Sequence, residues 1–551
     1  MTTPTPQNNS KPPVAENQPP KKKQSKAKTV VLLALVVVLL GALATVAKNR
    51  NQPSEPGVSG NTVALPSSTN VITVGAEYAF PGTEKAFAEA GIKGIKFYPE
   101  TYTKWDQMQK GSGQKIDFTA LDDMVKRYQN AGVTSMTMGI RYDAKWASID
   151  GGKTTNRTNG IPKPEYMAEY DKWLSSVIER YDGDGKNDMV GLKAPIQRYE
   201  IGVEFSTYVP EPTDQYIAFL VHSYTVAHAA YDKVQIAHAA FLTTNVFNND
   251  PTVDQYATAF KAVPDAAKKT LADIRMILDH PEAFDVVNFH SIGDPTEIDK
   301  NVVWLKYEMK QRNYAKPIIV SDTSPNPFIA WGPANTCTGF VKGAMVYPAT
   351  EADRCRIAAY FTKLLAGDSA ATTFVRQFVA EDTAKKVVIA AANGVSVIDT
   401  SFTEDIEILK AVTGAGAGNA GWGGLADVDR NIFTQVRTIK KRYPNFYALQ
   451  QIQKHLAKYD SIARVDAGDK KVRIYEVKSG TSRELIAWYE PGTVYLPGEA
   501  VPQKVVSLPS TTGTVSIEKL ITGIDKTTAE VTTGDAKSIT LTPTPLFIKA
   551  Q

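Results

Sequence analysis

RYEIGVEFSTY, residues 198–208, is the stretch on which the reading of this chain turns. Tyr199, Ile201, Val203 and Phe205 alternate along it with strand propensity, while Glu200 and Glu204 bracket Ile-Gly-Val. A strand that closes on Glu and runs into Ser-Thr turn chemistry sets a carboxylate at the rim of a sheet. That rim is where an α/β barrel carries its reactive groups.

Working outward, short apolar runs alternate with longer amphipathic ones. The strand candidates are Val71–Tyr78, Gly94–Tyr98, Ser135–Ile140, Arg198–Val203, Lys233–Ala239, Val286–His290, Pro317–Val320 and Val395–Asp399. Helical patterns fall between them, among them Phe118–Ala131, Thr213–Ala230 and Glu351–Ala366. Eight strands with intervening helices predict a (β/α)8 TIM barrel over residues 71–457. The eighth strand is the least defined, because Lys385–Ala392 and Val395–Asp399 both have β-like character. Ala415–Gly424 reads as a Gly/Ala-rich loop and Pro444–Ala457 as the closing helix. From Ser461 the period changes to two. Six short runs between Lys471 and Thr542, separated by Gly, Pro, Ser and Thr, predict a small all-β sandwich over 458–551.

The N-terminal side carries most of the charge asymmetry. Residues 1–28 hold six lysines against the single acid Glu16, which exceeds the whole chain's net charge of +4. The remainder is therefore slightly acidic, with no basic excess for nucleic acid. The composition of 1–28 predicts a disordered tail. Thr29–Ala47 is 19 residues without a charge, nearly enough to span a ~30 Å hydrocarbon layer at ~1.5 Å per residue. It exceeds the usual signal-peptide core of about 7–15 residues. It is therefore expected to be an uncleaved transmembrane anchor, although Thr45-Val46-Ala47 would serve as a cleavage site. Lysines before the run put the N-terminus in the cytoplasm and everything after Ala47 outside. Residues 48–70 read as a polar linker. An oxidising exterior would permit a disulfide between Cys337 and Cys355, with two buried thiols as the alternative. Neither metal-type spacing nor a Cys/His nucleophile pattern occurs, and no cofactor is implied. Asp182-Gly183-Asp184-Gly185 has some likeness to a calcium loop, but Lys186 breaks the ligand pattern and a surface turn is expected.

Several segments together resemble the clan-A glycoside hydrolases, retaining enzymes on a (β/α)8 barrel that often carries an appended β-sandwich. Tyr199-Glu200-Ile201-Gly202-Val203-Glu204 is similar to the end of the family's strand four. Val286-Val287-Asn288-Phe289-His290 resembles strand six, whose His borders the sugar site. Lys316-Pro317-Ile318-Ile319-Val320-Ser321-Asp322 stands where the family places its nucleophile. Tyr443–Leu449 is like its closing helix and Ile539–Ile548 like its last sandwich strand. The resemblance runs from about Val71 to the C-terminus.

It implies Glu204 as acid/base, Asp322 as nucleophile, or as a base for water if the gap is longer, and His290 at the sugar site. A glycosidase needs one protonated carboxyl for the leaving oxygen and one ionised carboxylate for the anomeric carbon or a water. Three departures stand out. Val203 replaces an Asn that hydrogen-bonds the sugar 2-hydroxyl, Asp322 replaces a Glu one methylene longer, and no strand-eight Trp is found. Tyr142 and Trp146 after strand three, Tyr208 and Trp331 after strands four and seven, and Trp422 in the late loop are candidate sugar-stacking rings, each also a natural packing residue. Glu77, Glu100 and Asp143 are further rim acids with an expected structural or solvated role. The expected function is a membrane-anchored, extracytoplasmic glycoside hydrolase with a carbohydrate partner. The alternative is a catalytically impaired barrel that binds surface polysaccharide.

Overall fold

The computed structural model describes residues 65–153, 158–205, 209–243, 269–330, 334–337, 344–400, 402–411 and 418–551. Its centre is a closed barrel of eight parallel strands: β1 (Thr73–Glu77), β2 (Gly94–Lys96), β3 (Ser135–Ile140), β4 (Arg198–Glu204), β5 (Gln235–Leu242), β6 (Val287–Ser291), β7 (Ile318–Thr323) and β8 (Val397–Thr400). They pair in chain order, and β8 closes the ring against both β1 and β7. Each expected strand is present, with its ends shifted by up to three residues.

The helices pack outside for the reason their spacing gives. In Thr119–Asn130, Leu121, Met124, Val125 and Tyr128 are buried at the i, i+3, i+4, i+7 positions that make one helical face. Thr213–Ala230 forms as expected. Glu351–Ala366 divides into a 3-10 turn and the helix Arg354–Leu365.

Lys385–Ala392 is a correction. It is the last third of a 24-residue helix, Ser369–Ala392, and not a strand. That helix packs on the closing helix Pro444–His455, while Lys385 pairs with Glu490 (3.2 Å) and Glu381 accepts from Thr544 (2.5 Å) on the C-terminal side. With protein on both sides it keeps no polar face, so its 3.6-residue period is erased.

The C-terminal region forms a seven-stranded antiparallel sheet with a separate two-stranded one, Lys504–Val506 with Ile539–Leu541, closing over an apolar core that includes Ile474, Leu485, Val515 and Leu541. Two features escape the period-two reading. The sheet begins with Ser67–Ser68, a two-residue strand from before the barrel that pairs with Ser461–Val465. The run Ile539–Ile548 is two strands, Ile539–Leu541 and Leu546–Ala550, broken around Pro543 and Pro545 because proline donates no ladder hydrogen bond.

Among the described residues no helix is long and apolar enough to cross a membrane. The run Thr29–Ala47, the tail before it and most of the linker lie outside those residues. Cys337 and Cys355 are free and exposed, neither disulfide-bonded nor buried. The Asp182 loop is a turn closed on its own amides. Asp188 accepts from Gly183 N (3.0 Å) and Gly185 N (2.7 Å), and Asp182 from Asp184 N (3.1 Å).

Candidate active site

The chemistry collects at the C-terminal end of the barrel, in two tiers. The lower tier is buried and charged. Lys96, at the end of β2, reaches across the interior to Glu200 on β4 (2.8 Å) and Glu77 at the end of β1 (3.5 Å). The same ammonium donates to the carbonyl and hydroxyl of Ser321 on β7 (3.3 and 3.2 Å). Burial opposes the charge on Lys96, but the Glu200 and Glu77 carboxylates outweigh it and hold the amine above the usual lysine range. Burial pushes Glu77 well above the carboxylate range; Asp322 adds to this and Lys96 opposes it. Asp399 on β8 is pushed up to about 7 by burial, which Lys96 and Arg198 only partly offset. Its side chain lies over Gly75, where a Cβ would stand 2.0 Å from Oδ1. Only glycine leaves room for it there.

The upper tier is Glu204, His290 and Asp322. Each carboxylate follows an irregularity in its strand. Between Ile201 and Glu204 the β4–β5 register shifts: three steps on β4 match two on β5, which runs from His238 to Ala240. Gly202 sits in this bulge at φ +87°, a conformation that L side chains rarely adopt. On β7 the register against β6 shifts as well, with Phe289 opposite Val320 and His290 opposite Asp322. Bulges bend a strand and re-aim its side chains, and here they turn one carboxylate from each side toward the same imidazole.

His290 Nδ1 lies 2.9 Å from Glu204 Oε2 and 3.9 Å from Asp322 Oδ2. Both contacts end on one nitrogen, so the two oxygens stand no further apart than the lengths together, about 6.8 Å. That limit is compatible with the about 5–5.5 Å of a retaining carboxyl pair and shorter than nearly all of the about 6.5–9.5 Å of an inverting one. Glu204 and Asp322 keep 12% and 18% of their side chains exposed, whereas His290 keeps 2%, so the acids are reachable from the mouth and the imidazole supports them from within.

Among the described residues, the aromatic candidates Tyr142, Trp146 and Trp422 pack against protein. Tyr142 is buried against Phe219 (4.6 Å between ring centroids), and Trp422 is buried in a satellite core with Phe328 and Tyr360. Neither leaves a face open to a sugar, because the cost of exposing a large ring has been met by protein packing. Trp146 is wedged between Trp105 (4.7 Å) and Tyr166 (5.5 Å) and donates its indole N–H to Gln109 O. Tyr208 and Trp331 lie outside the described residues. Asp143 and Glu100 are held in a network with Arg141 and Lys104, a structural role as expected.

The sequence reading passed over Lys96, Glu200 and Asp399, which look there like ordinary strand charges. It also passed over Tyr78, Tyr98 and Phe402, clustered just past β1, β2 and β8. Tyr78 stacks on Phe402 (5.0 Å, 6° between planes) and meets the edge of Tyr98 (4.9 Å). Both tyrosines are half-buried. The available signal was position alone, since Tyr78 follows Glu77 directly at a strand end.

The fold and site together define an eight-stranded parallel barrel with two carboxylates converging on one histidine at its mouth, carrying an appended β-sandwich. No protein-family model and no curated relative matches the sequence. Solved structures similar in fold include a glucosidase from Croceicoccus marinus (TM-score 0.48, 11% identity, 88% of this chain and 97% of that one). Another is a 4-O-α-L-rhamnosyl-β-D-glucuronidase from Fusarium oxysporum (TM-score 0.47, 12% identity, 89% and 99%). A third is a glycoside hydrolase family 30 subfamily 8 xylanase from Clostridium acetobutylicum (TM-score 0.44, 12% identity, 89% and 98%). At these identities the likeness is one of architecture.

Proposed function

We propose that the chain is a glycoside hydrolase that cleaves a β-linked glycan by a two-carboxylate, retaining mechanism. The observation that supports this reading is the convergence of Glu204 and Asp322, from β4 and β7, on the single nitrogen of His290. Asp322 attacks the anomeric carbon as the glycosidic bond breaks, and the leaving oxygen takes a proton from Glu204. Glu204 then removes a proton from water, which displaces Asp322 and releases the sugar. His290 Nδ1 lies within hydrogen-bond distance of Glu204 Oε2, a contact that restrains that carboxyl's direction.

One set of observations favours a second reading, a sugar-binding barrel without turnover. Val203 is buried and offers no hydrogen bond to a sugar hydroxyl, and the nucleophile's arm is short. The test is hydrolysis of aryl β-glycosides and of cell-wall glycans by the full chain beside Glu204→Gln. The hydrolase reading predicts turnover that falls by at least about a hundredfold in the variant. Equal glycan binding by both proteins with no turnover by either would replace it with the binding reading.

A further inference from the structure

Between β8 and the closing helix the chain makes a two-stranded hairpin, Ala426–Arg430 with Arg437–Arg442. Its base is fixed to the loop that follows β1. Arg437 N donates to Pro81 O (2.8 Å), the Arg437 guanidinium lies over the Phe80 ring (3.5 Å to the centroid), and the same group pairs with Glu404 (2.9 Å). The hairpin therefore stands on the β8–β1 side of the barrel's mouth, across the ring from β4, which carries Glu204.

Its tip is ordered and apolar. Asn431 Oδ1 accepts from Phe433 N (2.9 Å) and Thr434 N (3.0 Å), Asn431 O accepts from Gln435 N (2.9 Å), and Gln435 Nε2 donates to Ile432 O (2.9 Å). This closed turn holds Ile432 70% and Phe433 89% exposed, side by side. Among the described residues Phe433 is the most exposed large apolar side chain, and no other two such side chains are neighbours in sequence. Lone exposed apolar residues are ordinary on a protein surface. Two together, on a turn whose own hydrogen bonds hold it in place, form a contact point.

The size and charge of the tip select what it contacts. Two side chains bury at most about 400 Å², half of the about 800 Å² per partner in a standard protein interface. The tip is thus too small to hold a second copy or another folded protein. An anionic lipid surface calls for uncompensated Lys or Arg beside the apolar residues. Here Lys440 pairs with Asp427 and Asp429 (3.2 and 3.4 Å), Lys441 with Asp525 (3.0 Å), Arg442 with Glu89 and Arg437 with Glu404. Arg430 donates to Gln435 Oε1 (2.6 Å). A pyranose matches the tip on both counts. Its C–H face covers one aromatic ring, and the exposed Asn431 and Thr434 beside that ring offer amide and hydroxyl groups to the sugar hydroxyls.

We propose that Ile432 and Phe433 form a distal glycan-contact site with the Phe433 ring as its platform. The substrate is then a polysaccharide chain long enough to run from the acid pair, over the β8–β1 rim, to the hairpin. This deepens the hydrolase reading and rests on it for its kinetic consequence, while glycan binding at the tip is measured apart from turnover.

The test compares the full chain with Phe433→Ala and Phe433→Trp by electrophoresis in gels containing soluble xylan, mixed-linkage β-glucan or glycol chitin. At least one glycan should retard the wild type, with an affinity that falls about fivefold in Phe433→Ala and is kept in Phe433→Trp. The ratio of kcat/KM on that polysaccharide to kcat/KM on an aryl β-glycoside should also fall about fivefold in the Ala variant and be kept in the Trp variant. Retardation by none of the three glycans overturns the proposal, as does a retardation or a kinetic ratio equal in wild type and Phe433→Ala. Loss in Phe433→Ala of a dimer in sedimentation, or of binding to phosphatidylglycerol vesicles, with glycan retardation intact, overturns it in favour of another occupant. If the wild-type chain hydrolyses nothing, the hydrolase reading fails, and gel retardation alone then decides the glycan site.

Discussion

Asp399, 1% exposed and laid over Gly75, carries the plainest residue-scale consequence of the barrel's charged interior. Burial lifts its carboxyl from 3.8 to about 7, so the folded protein binds a proton there that the unfolded chain releases. The stabilisation is complete below the unfolded value near 3.8 and is lost as pH rises through about 7. Glu77, also raised, acts in the same direction. Stability measured by urea unfolding should fall between about pH 4 and pH 8, with Asp399 contributing several kcal/mol at about 1.4 kcal/mol per unit. Asp399→Asn, which keeps the shape without the titration, should flatten that fall; an unchanged slope would show that Asp399 is ionised in the folded state. The same residues mark what the sequence hides. Glu204 was legible because it closes β4, and Asp322 and His290, each one residue short of a strand's end, through the resemblance of the segments that carry them. Lys96 and Glu200 were not, because a charge inside a strand reads alike whether it faces solvent or a buried partner.

At the scale of elements, the two bulges matter more than the strands' composition. A regular β4 alternates its side chains strictly, and a one-residue slip sends a side chain to the other face. Gly202 at φ +87° absorbs that slip, and a Cβ there would also approach Ala239 Cβ and Val209 Cγ2 at 3.1 Å. Gly202→Ala should therefore cost about 1–3 kcal/mol of stability in denaturant unfolding. It should lower kcat more than it weakens substrate binding, since Glu204 would be mis-aimed. An Ala variant with wild-type kcat would show that the bulge does not set the carboxylate's direction. Strand and helix positions were readable from periodicity, but neither bulge was, because a bulge changes register with a neighbouring strand and leaves no period of its own. Ser369–Ala392 failed for a related reason: a helix covered on both sides shows no amphipathic stripe.

The whole molecule is an α/β barrel joined to a β-sandwich that takes in Ser67–Ser68 from before the barrel and covers the helix Ser369–Ala392. Its order of elements was legible from the alternation of strand and helix and then from the change to period two. The stitching between the parts was not, since a two-residue serine strand has no pattern to read. What the architecture achieves is to bring acids from β4 and β7 onto one imidazole, with their oxygens no further apart than about 6.8 Å, and the proposed retaining mechanism is tested at that pair. The most direct measurement is the stereochemistry of the first product. Proton NMR during hydrolysis of an aryl β-glycoside by the wild-type chain should show the β-anomer first, with the α-anomer appearing only by mutarotation. An α-anomer as the first-formed product would contradict the account.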